Sequence, residues 1–551
     1  GRASVSTSRS ARSFKMGLAC AVREYQSLCP MPHLSRLSRW GSPALCTRSS
    51  QVLSLSLSLS LSVCLSSFGS HELPWVYYDA QMLRPWLIAA LLLACGTSSP
   101  AGPVARVCSL ESPIVDWRPH VDGVHFRDGL NRVVFLRGVN AGGRSKFAPF
   151  SPFEYANGAF DMTLAIYMDH AKAMGINVMR VPFTWEAVEP VQGQDDQEFL
   201  KRYDALLDAA WARGVYLVVD FHQDVYAQAF CGDGFPAWTL PGPKPAPHHD
   251  CPSWSVAYFS DKGVVDAFDR LWADNSTVQA QLASMWDRMV ARYKDRPGVI
   301  GFEVINEPAS GSANSDSFES VTLTAFYSKM VARMRAAAPS SLVFVDPLGF
   351  DAVAVRTTLA RPIGEGIVFA PHFYPIGRAD PTSVHGNLSK WATVGQAWNV
   401  PVFVGEFGSS HDNPASLEFM TAHYDAFDAL GLSGTEWEMS MAPEQWNSES
   451  DSLIHADGTE YPVATAIQRP FARAVAGDAI ETAYDATART FTLTYAPSAI
   501  GVTEVSIPKK AYLNGARIGL TGACVDTTHE GRLLIQSDPG ASAVSLRLTP
   551  Q

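Results

Sequence analysis

Residues 299–308, VIGFEVINEP, decide the fold of this chain. The run is apolar through its middle and turns polar at its end, which is typical of a parallel strand covered by helices. Seven further runs largely share this pattern: VVFLRGVNA at 133–141, NVMRVPF at 177–183, YLVVDFHQD at 216–224, SLVFVDP at 341–347, IVFAPHFY at 367–374, PVFVGEFGS at 401–409 and SGTEWEMS at 433–440. Amphipathic stretches of helical length, such as 161–174, 199–213, 278–293 and 321–337, lie between them. This alternation predicts an α/β fold, a (β/α)8 TIM barrel.

The last part of the chain has a different period. Apolar and polar residues alternate at 491–495, 505–507, 533–536 and 544–548, with turn residues between these runs. Such alternation indicates antiparallel strands with one buried face. We therefore assign residues 107–472 to the barrel and residues 473–551 to a small C-terminal antiparallel β-sandwich.

The beginning of the chain reads as leader and targeting sequence. We expect residues 1–81, which include a low-complexity Ser-Leu alternation, to be unfolded or spurious. From Met82 a basic residue precedes an apolar run at 86–94 and then Cys95, the pattern of a secretory signal. The four residues ending at Cys95 also resemble a bacterial lipobox, so ordinary cleavage and a lipidated Cys95 both stay open. Residues 82–106 are thus a signal and linker, and we expect a secreted or lipid-anchored extracellular protein.

Charge and cysteine content restrict the partners and the compartment. The net charge of −11 argues against nucleic acid as a partner. No cysteine or histidine spacing suggests a metal site, and we predict no metal, no cofactor and no protein partner. In an exported protein Cys231 and Cys251 are expected to form a loop disulfide. Whether Cys108 and Cys524 also pair is left open.

Polar side chains collect at the predicted strand ends, where barrels of this kind build their active sites. They are Arg180, His222, Asp224, Asn306, Glu307, His372, Tyr374, Glu406 and Trp437. Two carboxylates facing each other across the barrel mouth are what glycoside hydrolysis needs, and Glu307 with Glu406 can supply them. A separation of about 5–5.5 Å would indicate a retaining reaction through a covalent glycosyl-enzyme.

Two short motifs carry a family resemblance that extends from about residue 133 to 440. Asn306-Glu307-Pro308 and Gly405-Glu406-Phe407-Gly408, in order with Arg180, His372, Tyr374 and Trp437, resemble the signature of glycoside hydrolase family 5 and its clan. The resemblance implies that Glu307 is the acid/base and Glu406 the nucleophile. It also implies substrate-binding or orienting roles for Lys146, Arg180, His222, Asp224, Asn306, His372, Tyr374 and Trp437. A purely structural role stays open for Lys146, His222, Asp224 and Arg180.

The implied roles follow the chemistry of each side chain. Asn306 would bond the sugar 2-hydroxyl, a contact that strengthens in the transition state. Arg180 would keep Glu406 ionised, and Tyr374 would donate a hydrogen bond to the same carboxylate. Trp437 would offer its ring to the apolar face of a sugar. His222, Asp224 and Lys146 would hold sugar hydroxyls beside the cleavage point.

A narrower resemblance is to the endoglycoceramidases, which release intact oligosaccharide from the ceramide of glycosphingolipids. It rests on HQDVY at 222–226 with FCGDGFPAW at 230–238, on LRGVNAGG at 136–143, and on RPFARAVAG at 469–477. It implies a retaining endo-β-glycosidase acting on a glycosphingolipid at a membrane or micelle surface.

The long segment from residue 230 to 259 is the expected lipid-facing region. Phe235, Trp238 and Trp254 stand there among prolines and glycines, beside the third strand. Apolar burial of about 25 cal/mol per Å² could hold a ceramide at such a surface. Alternatives are a glucosylceramide or steryl-glucoside β-glucosidase, another family 5 β-glycanase, and a non-catalytic carbohydrate-binding surface protein.

Overall fold

The computed structural model describes residues 105–113, 118–156, 158–242, 250–375, 379–498 and 501–551. The predicted leader, the signal sequence and Cys95 lie outside the described residues. Within these ranges, no helix has the length and apolar character needed to cross a membrane.

Eight parallel strands form the predicted barrel, and all eight sequence runs contribute one. In chain order, four short strands come first, β1 Arg106–Val107, β2 His120–Asp122, β3 His125–Arg127 and β4 Val133–Val134, followed by the barrel strands β5 Arg137–Asn140, β6 Val178–Phe183, β7 Tyr216–Phe221, β8 Val299–Glu303, β9 Leu342–Val345, β10 Ile367–Phe369, β11 Phe403–Phe407 and β12 Ser433–Glu436. The sheet runs from β5 to β10 in chain order, and β12 and β11 continue it on the other side of β5. Parallel bridges from Phe369 to Val402 and from Phe373 to Phe407 connect the two outer strands. The barrel is therefore nearly closed, as predicted.

Helices cover the outside of the barrel. They are α1 Phe160–Ala173, α2 Trp185–Val188, α3 Gln197–Trp211, α4 Ala257–Ser260, α5 Lys262–Trp272, α6 Thr277–Tyr293, α7 Ser315–Ser317, α8 Thr324–Ala337, α9 Asp351–Ala354, α10 Pro381–Trp398 and α11 Ser416–Leu430. Their apolar stripes pack on outward-facing strand residues such as Val219 and Phe302. Inward-facing neighbours such as Val218 and Ile300 fill the barrel interior. A side chain of this size contributes about 1.5–3 kcal/mol when fully buried.

The C-terminal strands form the predicted antiparallel domain. They are β13 Phe471–Val475, β14 Gly477–Asp485, β15 Thr490–Pro497, β16 Thr503–Ser506, β17 Ala516–Thr521, β18 Ala523–Asp526, β19 Arg532–Ser537 and β20 Val544–Pro550. One sheet of four strands has the order β14-β15-β20-β17. Its buried side chains, such as Leu493 and Leu546, share one apolar core with Val505 and Ile535 of the second sheet.

The second sheet of this domain also contains the four N-terminal strands, which the predicted boundaries assign to the barrel or to the linker before it. Its order is β1-β18-β19-β16-β13-β4-β3-β2, and Cys108 is disulfide-bonded to Cys524. The run 133–141 is thus divided between β4, which pairs with β13, and β5 of the barrel. Because the two residues between these strands, Phe135 and Leu136, are apolar like those before them, the pattern does not show that the chain changes sheets there.

Candidate active site

Glu406 lies on β11 at the mouth of the barrel, with its side chain only 6% exposed. Nη1 of Arg180 donates a hydrogen bond to its Oε1 at 2.7 Å. The hydroxyl of Tyr374 donates to its Oε2 at 2.9 Å. Both contacts are those that the sequence predicts, and together they fix the orientation of the carboxylate.

Arg180 is itself held in place by other buried groups. Its Nε and Nη2 donate to the two oxygens of Glu303, each at 2.8 Å. Nη2 also donates to Oδ1 of Asn306 at 2.8 Å, and Nη1 donates to Oδ1 of Asn140 at 2.9 Å. A planar guanidinium with a bidentate carboxylate partner has little freedom to rotate. Glu303 therefore holds the guanidinium of Arg180 in place. Arg180 in turn bonds both Glu406 and Asn306, the residue before Glu307.

Glu307 follows β8 and faces Glu406. Its φ of 39° is a left-handed conformation that is uncommon for a residue with a side chain. The backbone N–H donates to Oδ2 of Asp346 at 2.9 Å, which supports this turn. A Cβ atom on Gly349 would lie 2.9 Å from the Cβ of Glu307, so a glycine is needed there.

The two carboxyl groups converge on His372. Nδ1 of His372 lies 2.9 Å from Oε1 of Glu307 and 3.7 Å from Oε2 of Glu406. Oxygens of the two carboxyl groups lie within 4.8 Å of each other. Inverting glycosidases hold their carboxyl groups about 6.5–9.5 Å apart, and retaining ones about 5–5.5 Å apart. Oxygens this close favour the retaining arrangement over the inverting one.

The surroundings of the two carboxyl groups push their pKa values in opposite directions. Burial raises the pKa of Glu307, and the hydrogen bond and charge of His372 only partly oppose it. Burial acts in the same sense on Glu406, but the positive charges of His372 and Arg180 outweigh it and lower its pKa. One group is thus suited to carry a proton and the other to stay ionised.

Polar side chains continue the site on the Glu406 side. Nζ of Lys146 donates to Oδ2 of Asp224 at 2.6 Å, and Nε2 of His222 lies 3.4 Å from the same oxygen. The ring of His222 stacks on that of Trp437 at 5.2 Å between centroids. Burial opposes ionisation of Asp224, but Lys146 and His222 lower its pKa to about 2. Lys146 is only 3% exposed, so it is not a solvated loop lysine.

One cavity of about 660 Å³ contains both carboxyl groups and has two unlike ends. The polar end, beside Glu406, is lined by Lys146, Asp224, Trp254, Trp437, Glu449 and Asp451. The mostly apolar end, beside Glu307, is lined by Val256, Tyr258, Phe259, Leu348, Phe350, Ala352 and Val353, with Ser310 and Ser315 as its polar members. Val256, Phe259 and Phe350 are exposed by 56%, 73% and 55%, and the last two rings form an edge contact at 5.9 Å. We call these three residues the apolar lip.

The predicted lipid-facing aromatics occupy other positions. Phe235 is fully buried, stacks on Tyr226 at 4.1 Å between centroids and does not line the cavity, so its prediction as a lipid-facing residue is wrong. Trp238 donates from its indole N–H to the carbonyl of Glu189 and does not line the cavity. Only Trp254 reaches the cavity, and there it neighbours Lys146. Composition indicated aromatic residues in this segment, but it does not tell which ones the loop turns inward.

The predicted loop disulfide forms between Cys231 and Cys251.

Among the described residues, Glu307, His372 and Glu406 bring ligand atoms close enough to hold a cation. Arg180 and Tyr374 already bond both oxygens of Glu406, and a cation would compete with them. These residues are therefore better suited to proton transfer and nucleophilic attack.

Comparison with known families matches both parts of the chain. The family model described as Cellulase (glycosyl hydrolase family 5) matches residues 144–443. The chain belongs to glycoside hydrolase family 5. The model of the glycoside hydrolase family 5 C-terminal domain matches residues 469–546 of this family 5 enzyme.

Several relatives of this family 5 enzyme are endoglycoceramidases by name. Endoglycoceramidase I of Rhodococcus hoagii (strain 103S) is 24% identical over 454 residues, which cover 78% of this chain and 87% of the relative. Endo-glycoceramidase II of Rhodococcus sp. in a ganglioside GM3 complex has a TM-score of 0.65 at 25% identity, covering 78% of this chain and 100% of that chain. The same protein as a lactosyl-enzyme intermediate has a TM-score of 0.64 at 26% identity, covering 78% and 99%.

The site of this family 5 enzyme also contains residues that the sequence did not reveal. Asp346 ends the fifth predicted strand and bonds the Glu307 backbone, yet a single carboxylate there matches no motif. Gln223 stands between two predicted residues and donates to the carbonyls of Asn306 and Glu307. Glu449 and Asp451 reach the cavity from the segment that follows β12. Position at a strand end could have indicated Asp346, whereas the loop residues carry no such signal.

Proposed function

We propose that this family 5 enzyme is a retaining endo-β-glycosidase that cleaves the bond between the oligosaccharide and the ceramide of glycosphingolipids. The observation that carries the proposal is the two-ended cavity. Its polar end adjoins the nucleophile Glu406, and its apolar end adjoins the acid/base Glu307. A sugar on one side of the scissile bond and a lipid on the other would each meet a matching surface.

The geometry supports a double displacement. Oε of Glu406 attacks the anomeric carbon while Glu307 gives its proton to the departing ceramide oxygen, which leaves as an alcohol. The sugar is then bound to Glu406 as a glycosyl ester. Glu307, now a carboxylate, takes a proton from water, and the resulting hydroxyl attacks the anomeric carbon and releases Glu406. Asn306, whose Oδ1 accepts from Arg180, would bond the sugar 2-hydroxyl.

The apolar lip supports a lipid as the leaving group. Val256, Phe259 and Phe350 expose apolar surface to water beside Glu307, a costly arrangement unless a ligand covers it. A soluble sugar in this position would bring hydroxyl groups to a surface on which apolar side chains outnumber polar ones. An acyl or sphingoid chain would instead gain about 25 cal/mol for each Å² of apolar area removed from water.

The relatives support the same substrate class. Their names describe endoglycoceramidases, and one was solved with ganglioside GM3. That protein was also solved as a lactosyl-enzyme intermediate, the kind of species expected when Glu406 acts as a nucleophile. At about a quarter identity the likeness supports the glycosphingolipid proposal, and the cavity of this chain adds an argument from its own residues.

We further propose that the protein acts outside the cytoplasm, either secreted or anchored by a lipid on Cys95. The two disulfides support an oxidising compartment. Catalysis at a membrane or micelle surface agrees with this location, because glycosphingolipid head groups face the outside.

A glycolipid panel tests the function. Wild-type protein is incubated with lactosylceramide, glucosylceramide and a soluble aryl β-lactoside, and the products are identified by mass spectrometry. We expect intact lactose and ceramide from lactosylceramide. Glu406→Gln should lower turnover by about a thousandfold or more, because it removes the nucleophile. Glu481→Gln, at an exposed site on β14, is the matched control and should leave turnover unchanged.

Other outcomes would replace the proposal. Release of glucose from glucosylceramide with no reaction of lactosylceramide would indicate a monoglucosidase. Turnover of soluble glycosides alone would indicate a different family 5 β-glycanase. Binding of glycolipids without any product would indicate a carbohydrate-binding surface protein.

A further inference from the structure

A second cavity lies at the end of the barrel opposite the two catalytic carboxyl groups. Its volume is about 510 Å³, within the range of about 300–1,000 Å³ that is common for small-molecule sites. Two residues that line it, Leu342 and Gly366, stand where the chain enters β9 and β10. Glu307 follows β8, and Glu406 lies near the carboxyl end of β11. Because parallel barrel strands all begin at the same end, this cavity is separate from the catalytic site.

The lining of this cavity carries more positive than negative charge. Its charged and polar side chains include Arg118, His120, Arg335, Arg361, Glu365 and Asn399. Three arginines thus accompany one glutamate, in a chain whose net charge is −11. We call this cavity the basic pocket.

Arg335 brings a charge that no carboxylate neutralises at close range. It stands on α8 two residues after Arg333, which forms a salt bridge with Asp287. The hydrogen bond and charge of Asp287 raise the pKa of Arg333. Burial instead lowers the pKa of Arg335, and the charge of Glu365 only partly opposes it. Among the residues that the structure describes, Arg335 forms no salt bridge, so its charge is available to a ligand.

The guanidinium of Arg335 is also held in position. Its Nη1 donates to the carbonyl of Ser341 at 2.8 Å. A Cβ on Gly366 would lie 3.0 Å from that Nη1 and 3.1 Å from Cζ, so the guanidinium lies against the bare backbone of a glycine. An arginine has five N–H groups, and the contact with Ser341 uses one. Most of the donors therefore remain for a ligand, on a group that loses little freedom when it binds.

Arg361 approaches the basic pocket from the segment between α9 and β10. Its Nη1 and Nη2 donate to the carbonyls of Pro362 and Gly364, at 3.4 and 3.1 Å. These contacts lie within its own turn, and within the described part of the chain Arg361 forms no salt bridge either. The third arginine, Arg118, lies 3.5 Å from Oδ1 of Asp295, which partly balances its charge. Arg335 and Arg361 are therefore the two uncompensated charges.

This set of donors suits an anion with several oxygens. Guanidinium groups are planar and bond the oxygens of phosphate and similar anions in pairs. His120 and Asn399 add further N–H donors. The apolar lip lies at the other end of the barrel, beside Glu307, so a flat membrane that contacts the lip leaves the basic pocket in water. This arrangement favours a soluble anion over a lipid head group.

We propose that the basic pocket binds a phosphate or sulfate group of a soluble molecule, held by Arg335 and Arg361 with Arg118 beside them. The inference goes beyond the proposed function. It does not depend on which glycoside the enzyme cleaves, because none of these arginines lines the catalytic cavity.

Calorimetric titration of the full-length protein with sodium pyrophosphate, at neutral pH and low salt, tests the inference. Wild type should bind pyrophosphate with a dissociation constant below about 1 mM. Arg335→Gln and Arg361→Gln should each weaken binding by about tenfold or more, because each removes charge-assisted hydrogen bonds. Arg333→Gln is the matched control, since it makes the same change on the same helix outside the basic pocket, and its affinity should stay within about twofold of wild type.

A further variant should change the affinity in the opposite direction. Glu365→Gln removes the negative charge from the lining, so pyrophosphate should bind about two- to threefold more tightly. Glu365 is exposed, whereas Arg335 is half-buried. The Glu365 variant therefore tests the inference even if a change at Arg335 disturbs α8.

The same titrations can contradict the inference. No binding by wild type at about 10 mM pyrophosphate would overturn it, and so would equal affinities for wild type, Arg361→Gln and Glu365→Gln. Vesicles of phosphatidylcholine with about one-fifth phosphatidic acid test a lipid as the source of the phosphate. If wild type sediments with these vesicles, Arg335→Gln does not, and pyrophosphate fails to bind, a lipid head group replaces the soluble anion.

Discussion

Glu307 and Glu406 differ in protonation because of their neighbours, and this difference gives a prediction about pH. A carboxyl with a raised pKa loses its proton as pH rises through that pKa, so the acid role of Glu307 fails on the alkaline side. A carboxyl with a lowered pKa gains a proton only when the pH falls through that lowered pKa. Glu406 therefore loses its nucleophilic, ionised form on the acidic side. We expect a bell-shaped profile of kcat/KM against pH for an aryl glycoside.

The alkaline limb can be assigned with one variant. Glu307→Gln cannot donate a proton, but a leaving group such as dinitrophenolate needs none. With that substrate, the rate at which the variant forms the glycosyl-enzyme should still fall at acidic pH. It should no longer fall at alkaline pH. An alkaline limb that survives unchanged would mean that a group other than Glu307 controls it.

At this scale the sequence predicted most of the site residues at strand ends, although it missed Asp346, and it missed Glu449 and Asp451 on the segment after β12. Arg180, Glu307 and Glu406 are placed by strand ends, whose positions follow from hydrophobic period. Glu449 reaches the cavity through a segment whose path depends on the contacts of Asn447 with two cysteines. No local pattern reports such contacts.

At the scale of elements, the apolar lip joins α4, which carries Phe259, with the turn before α9, which carries Phe350. We expect Phe259→Ala with Phe350→Ala to lower kcat/KM for lactosylceramide by about tenfold or more, because two large apolar contacts are lost. An aryl β-lactoside should react at the wild-type rate. Ile363→Ala, at a residue that is 80% exposed and does not line the cavity, is the matched control. Equal loss on both substrates would mean that the pair supports the fold and not the lipid.

The mistaken prediction for Phe235 has a cause at the same scale. Its ring fills the space between Tyr226 and Phe221, so it anchors the loop from below. The short helix α4 brings Phe259 to the surface instead. Both residues are phenylalanines in the same aromatic segment, so the sequence does not distinguish them. Only the path of the backbone determines which ring is buried.

At the scale of the whole molecule, the Cys108–Cys524 disulfide closes a very long loop, with a sequence separation of 416. Removing it with Cys108→Ser and Cys524→Ser should lower the free energy of unfolding by about 2–4 kcal/mol, chiefly by releasing the unfolded chain. Thermal unfolding followed by calorimetry measures the change. Activity at 25 °C should persist, because neither cysteine lines the cavity. A variant with unchanged stability would contradict the prediction.

The sheet that unites β1–β4 with β13, β16, β18 and β19 restricts how this protein can be recombined. A cut after residue 472 would leave β4 without its neighbour β13 and would expose its unpaired backbone. A gene fusion that exchanges the sandwich for that of another enzyme must therefore replace the segment around residues 106–134 as well. We expect a fusion that exchanges both segments together to fold, and one that exchanges only the C-terminal segment to lose stability.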